Sequence, residues 1–393
     1  VALSDQGYAA FKKQTAAATA VVPDTFVPLY DETLTTNLNL DDDTPIVGSK
    51  FARLQSLQGQ RDHGGDLTVM AEPNTTAQLL DMLLTRGSVT GSNPYTWPFT
   101  LGFTDPNSYT LDISNGVTVS RYWGVQASKI SPVFAKNEMQ HKVSVSALGS
   151  FLGREIASIS TITLTLKTDY DPTPTAGLVV GDLVAIWKAS DGTLTSFTIS
   201  SLTATTVVLN STAAAFAAGD MLVLRPATAS LPALYATPFS WARTQFCFGA
   251  TAAAALSATH TALEQGSTWT VLHDFKDDKG EKRSGGLDPV ALLRKRGDLD
   301  IKLTKIFSGP DEAKNFTGIK KVALVIRCYA AASNGTTYEL RITMNNLKLI
   351  KGGDKPKLKV GEWEYYELEY HPDYDTSDAS AWDLKVINAI AAT

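Results

Sequence analysis

The sequence predicts a mainly β protein: two β-sandwich or barrel domains, each with a flanking helix, and an inserted small β-barrel-like module. Three observations predict it. Apolar and polar residues alternate in runs such as Tyr109/Leu111/Ile113 and Val143/Val145, the period of a strand with one buried face. The block from 156 to 236 is rich in Thr, Val and Ala and broken by turn residues every few positions, as in a small barrel. The order of elements before that block recurs after it.

Size and composition allow this organisation. With 393 residues, 44% of them hydrophobic and 19% charged, the chain has apolar material for more than one core and too little charge for wholesale disorder. A formal charge of -5 argues against a tight grip on nucleic acid, which is built by neutralising phosphates with Lys and Arg. Cys247 and Cys328 lie in apolar, strand-like runs and read as buried thiols, with no disulfide expected. No run of about 18 apolar residues is present and the N-terminus lacks the pattern of a secretory signal. The chain is therefore expected to be made in the cytoplasm and to have no membrane partner. The initial Val suggests removal of an initiator Met, so that the full product begins here.

Residues 1–50 are polar and punctuated by Pro23, Pro28 and Pro45, with an acidic run Asp41-Asp42-Asp43, and read as an extended N-terminal arm. Residues 51–155 form the first β-domain, with strands around Leu67/Val69, Tyr109/Leu111/Ile113, Val117/Val119 and Val143/Val145. One helix is expected over Asn74–Leu84, begun by a capping Asn or Thr and closed by Gly87. In the module at 156–236, Gly181-Asp182 and Gly219-Asp220 each precede an apolar run and suggest a minor repeat. The module reads as an exposed decoration or as a stiffening spacer, with decoration the expectation. Residues 237–393 form the second β-domain. Here Gly297-Asp298-Leu299-Asp300-Ile301 matches Gly65-Asp66-Leu67-Thr68-Val69, and a short helical stretch follows Gly309-Pro310-Asp311. Thr337–Ile342 is set against Ser108–Ile113, and Glu364–Tyr370 against Gln140–Val145, as in a duplicated domain.

Several stretches resemble the tail tube (major tail) proteins of long-tailed, siphovirus-type bacteriophages. They are Glu72-Pro73-Asn74-Thr75-Thr76 before the helix, Tyr122-Trp123-Gly124-Val125-Gln126-Ala127-Ser128-Lys129-Ile130, Leu263-Glu264-Gln265-Gly266-Ser267-Thr268-Trp269, and Arg283-Ser284-Gly285-Gly286-Leu287-Asp288-Pro289. Their order, covering most of the chain outside the module, carries the likeness. The resemblance implies a virion protein made in the host cytoplasm, whose sheets join those of neighbours into the inner wall of a tube for DNA ejection. Two such domains in one chain imply a trimeric ring, stacked helically. Tape measure, tail terminator and distal tail proteins are implied as partners, with double-stranded DNA passing without tight binding. The stretch before Phe51 and residues 274–286 are the candidates for contact between rings.

No catalytic, cofactor-binding or metal-site residues are assigned, and the chain does not read as an enzyme. The five histidines, His63, His141, His260, His273 and His371, lack metal-ligand spacing, and adjacent His273 and Asp274 point to opposite faces of a strand. No phosphate-binding loop or nucleophile elbow is present. Carboxylates on a tube wall would repel DNA phosphate. Asp66, Asp112, Asp298, Asp300, Glu339, Glu367 and Glu369 are the candidates, about half of them expected to face solvent elsewhere. The alternative is a receptor- or carbohydrate-binding β-protein of a phage fibre or baseplate, using Trp363/Tyr365/Tyr366/Tyr370 or Tyr95/Trp97/Phe99 as an aromatic platform. A capsid protein and a hydrolase are lesser readings.

Overall fold

The computed structural model describes residues 7–43, 55–102, 104–135, 137–168, 171–226, 237–264, 267–276, 280–281, 288–306, 316–318, 321–331, 337–353, 356–357, 364–376 and 380–391. The fold is mainly β. Of the stretch expected to be an extended arm, the described residues 7–43 are built into it, with β1 (Tyr8–Lys13), β2 (Thr25–Val27), β3 (Leu29–Glu32), β4 (Thr35–Asn37) and β5 (Leu40–Asp43). Ala9, Ala10 and Phe11 are buried, and β1 pairs with β2, while β3 and β4 add to the strand that follows the β5 hairpin. The physical reason is local: three consecutive small or aromatic apolar residues supply burial on both faces, without the alternation that would have marked a strand.

The chain continues through β6 (Gln55–Gln58), which pairs with β5, and β7 (Asp62–Met70) to helix α1 (Pro73–Asp81). The helix is capped by Glu72 rather than by Asn74 or a Thr, and Glu72 Oε2 accepts from the amides of Asn74 (2.9 Å) and Thr75 (3.1 Å). It ends at Asp81, short of the expected Leu84. Pro73 sits at the helix start, where its missing amide hydrogen is no loss. Next come β8 (Thr85–Arg86), β9 (Thr90–Gly91), β10 (Tyr95–Thr100), β11 (Tyr109–Ser114), β12 (Val119–Ala135), β13 (Glu138–Ser146) and β14 (Gly149–Phe151). The 17-residue β12 changes company along its length. Its first half pairs with β11 and β14, and its second half pairs with β13.

A closed six-strand barrel follows, from β15 (Arg154–Ser160), β16 (Thr163–Leu166), β17 (Leu183–Trp187), β18 (Leu194–Leu202), β19 (Thr206–Leu209) and β20 (Met221–Leu224). The ladder runs β15, β16, β19, β18, β17, β20 and back to β15, leaving no edge strand. Its core includes Ile156, Leu164, Val184, Ile186, Ile199, Val207 and Leu222. The two Gly-Asp turns are built alike. Gly181 and Gly219 adopt φ of 94° and 93°, a region that disfavours any side chain, and the Asp after each accepts from the backbone amide three residues earlier, Val179 and Ala217.

The rest of the chain forms β21 (Thr244–Gly249), a short α2 (Ala252–Leu256), β22 (Thr268–Leu272), β23 (Asp298–Ile306), β24 (Val322–Ala331), β25 (Thr337–Lys351), β26 (Tyr365–Pro372) and β27 (Asp383–Asn388). Most of the helical stretch expected after Gly309 lies outside the described residues, as do residues 277–279 and 282–287 of the proposed contact loop. Residues of both halves share one hydrophobic core, in which Leu79, Leu80, Val143 and Trp97 pack with Ile301, Leu340, Ile342 and Leu384. The halves are further joined by β10, which pairs with β27, and by Asn74, whose Oδ1 accepts from the Ala389 amide at 3.1 Å.

The two halves share one strand order, with an alignment shifted from that expected in the sequence. Spatial order β1, β11, β12, β13, β7 in the first half corresponds to β21, β24, β25, β26, β23 in the second, every neighbour antiparallel. Thr337–Ile342 therefore lies in the counterpart of β12, not of β11. Sequence similarity between alternating strands cannot tell one from its hairpin neighbour, whereas pairing order can.

Candidate assembly surface

Eight strands make one continuous sheet, in the order β3, β7, β13, β12, β22, β23, β26, β25. The first four belong to the first half and the last four to the second. They meet where Lys129 and Ile130 of β12 pair with Leu272 and Val271 of β22. One face is dry, with Leu67, Val143, Ile130, Val271, Leu299 and Leu368 buried. The strand period puts their sequence neighbours on the opposite, solvated face.

Five of the seven carboxylates singled out in the sequence lie on that face. Asp66 stands opposite Ser144, which stands opposite Lys129; Asp298 and Asp300 follow on β23, Glu367 and Glu369 on β26. The face is not simply acidic. Asp66 Oδ2 lies 3.0 Å from Lys142 Nζ, and its Oδ1 accepts from Ser144 Oγ at 2.7 Å. Partial burial works to raise the Asp66 carboxyl, but the Ser144 hydroxyl and the Lys142 ammonium outweigh it and hold the pKa below the usual range. Glu367 pairs with Lys357, Glu369 lies 3.7 Å from Lys351, and Asp300 lies 3.3 Å from His371 Nε2. The result is a polar, charge-paired surface rather than a uniformly repulsive one.

The other two carboxylates are elsewhere, and correct that expectation. Asp112 is buried against Arg121, which reaches its two oxygens at 2.7 and 2.8 Å and donates to Asp182 Oδ2, at the barrel entrance, at 2.6 Å. Burial disfavours the Arg121 charge, but the two carboxylates outweigh it and raise its pKa. Glu339 accepts from Arg327 Nε at 2.7 Å and from Arg341 Nη2 at 2.6 Å. Asp112 is held by Arg121 of the neighbouring strand, which also brings in Asp182 from a different core, whereas Glu339 is held by Arg341, two residues further along its own strand, and by Arg327 of the adjacent strand.

The remaining candidates play supporting parts. Among the described residues, Asp298, Asp300 and His371 are the group whose ligand atoms fall within 4.8 Å of one another. Asp300 already pairs with His371, and Asp298 Oδ1 accepts from the Leu299 amide at 2.8 Å. His141 is buried beside Thr76 Oγ1 (2.9 Å), and burial pushes its pKa down to about 3, so the ring is neutral. His273 Nδ1 meets the Leu83 carbonyl at 3.1 Å, not Asp274. His63 Nε2 lies 2.9 Å from Asp288, which also takes Arg61 Nε at 2.7 Å. His260 Nδ1 accepts from the Phe246 amide. Cys247 and Cys328 are buried free thiols on adjacent strands, and burial pushes Cys328 up to about 12.

Among the described residues, the rings of the two expected aromatic platforms are mostly buried. Trp97 and Phe99 are buried in the shared core, as are Tyr366 and Tyr370, leaving Tyr95 and Tyr365 half-buried; Trp363 lies outside the described residues. No protein-family model matches the sequence, and no curated protein matches it.

Proposed function

We propose that this chain is a structural subunit of a phage tail tube, polymerising into stacked rings around a channel for DNA. The observation that carries the reading is the eight-strand sheet with one dry and one charged, solvated face. A sheet of that kind is stable only when its edges are paired or covered, and side-by-side addition of copies does both while turning the polar faces to a common interior. A lining of paired charges and hydroxyls suits passage of a polyanion without capture, because a lysine held by a carboxylate is less available to replace the counterions of phosphate. The likeness noted in the sequence adds the virion setting, the trimeric ring, and tape measure, terminator and distal tail proteins as partners.

The rival reading, a receptor- or carbohydrate-binding protein, rested on aromatic platforms whose described rings mostly pack in the core. Electron microscopy of the purified protein over a concentration series, with mass photometry, separates the two. Tubes or stacked rings with three chains in the smallest closed unit are expected. Discrete oligomers or monomers at every concentration would overturn the proposal.

A further inference from the structure

We propose that the bond between copies repeats the seam already present inside each chain: the outer edge of β3 adds antiparallel to the C-terminal end of β25 in the next copy. This rests on the tube reading above and names the partner surfaces. The eight-strand sheet is two four-strand units in tandem. Within each, the chain visits the strands in the same spatial order: first, second, fourth, third, as β3, β7, β13, β12 and as β22, β23, β26, β25. Inside the chain, the third-visited strand of unit one meets the first-visited strand of unit two, β12 against β22. Carrying the same step onward brings β25 against β3 of another copy. Strand directions alternate without interruption across the sheet, so that new contact is antiparallel too.

The two edges fit the step. On β12, the β11 ladder stops at Val125 and β22 takes over the same side at Lys129. On β25, the β24 ladder stops at Leu347, and Lys348–Lys351 have no further partner on that side among the described residues. β3 pairs only with β7 among the described residues. Each edge carries one exposed apolar side chain, Tyr30 at 46% and Ile350 at 48%. Their charges differ in sign: Asp31 and Glu32 on β3 are exposed, while β25 carries Lys348, paired within the chain with Asp373, and the exposed Lys351, 3.7 Å from Glu369. Both edges are short and carry a register shift against their inner neighbour, between Leu29 and Asp31 and between Leu349 and Lys351. Because the two surfaces differ, the contact is head-to-tail and propagates until it closes.

Two charge-reversed variants test the seam, D31K/E32K and K348E/K351E, with folding checked by circular dichroism. Each alone should raise the concentration needed for ring formation about tenfold or more, and mixing the two should restore assembly. A second measurement uses D31C and K351C chains mixed and oxidised: an interchain disulfide is expected, since the native thiols are buried. If wild-type protein forms tubes while the reversals leave assembly unchanged and no crosslink forms, the seam is overturned and the tube reading stands. If wild-type protein forms no ring or tube at all, both fail.

Discussion

The hairpins β11–β12 and β24–β25 occupy the same place in the two halves and carry ion triads of opposite composition. In the first, one arginine lies between two acids: Arg121, with its side chain 3% exposed, holds Asp112 and Asp182. In the second, one acid lies between two arginines: Glu339 holds Arg327 and Arg341, whose side chains are 24% and 26% exposed. The difference lies in what completes each triad. The second is drawn from its own hairpin. The first borrows Asp182 from the barrel, so it fastens the barrel to the sheet as well as neutralising a buried charge. Strand order is the same in the two halves, while the hairpin interiors differ where the barrel adjoins the first.

Four changes would break or sharpen this contrast. The largest effect is expected from R121A, which strands two buried carboxylates and should cost about 3–5 kcal/mol in urea unfolding. Next is a pH effect confined to the first half, where α1 has the buried Glu72 cap. Burial raises the Glu72 carboxyl from its ordinary 4.5 to about 7, against the two amides it accepts from. A raised carboxyl favours the protonated form in the folded state, so its contribution is complete below pH 4.5 and is lost as pH rises through about 7. Stability should fall by up to about 3 kcal/mol across that window, and E72Q should flatten the slope. His141, depressed by burial, acts in the opposite sense, losing stability as pH falls below its ordinary 6.5. Third, D182A leaves Arg121 bidentate on Asp112 and should cost about 2 kcal/mol, with amide exchange quickening first around Val179. The smallest is E339Q, between two partly solvated arginines, at about 1 kcal/mol by thermal melting. Equal losses from R121A and E339Q would dismiss the fastening role of the first triad.

Much of this architecture was legible in the residues. The strands around Leu67 and Val143 alternate because each has one wetter face, the strand around Leu111 alternates in sequence although its polar side is also buried, and the Gly-Asp turns of the barrel announced themselves because only glycine suits their backbone. Five of the seven proposed wall acids share one face because the strand period fixes facing once a strand is found. The misses share a cause. β1 is buried on both sides and so lacks alternation, Glu72 caps the helix in place of the expected Asn or Thr, and Asp112 shares Arg121 with Asp182, which only the tertiary fold brings near. Pairing of β12 with β22 is likewise invisible to local pattern, since it spans the whole barrel in sequence.

The pairing of β10 with β27 has a consequence for biosynthesis. β10 comprises residues 95–100, and its partner comprises residues 383–388. While the ribosome is still translating, the barrel can close on contacts confined to a stretch of about seventy residues, whereas the sheet around it waits for a strand made almost three hundred residues after its mate. A nascent chain can thus carry a finished barrel on an unfinished sheet, whose last strands are added after most of the polypeptide has been made.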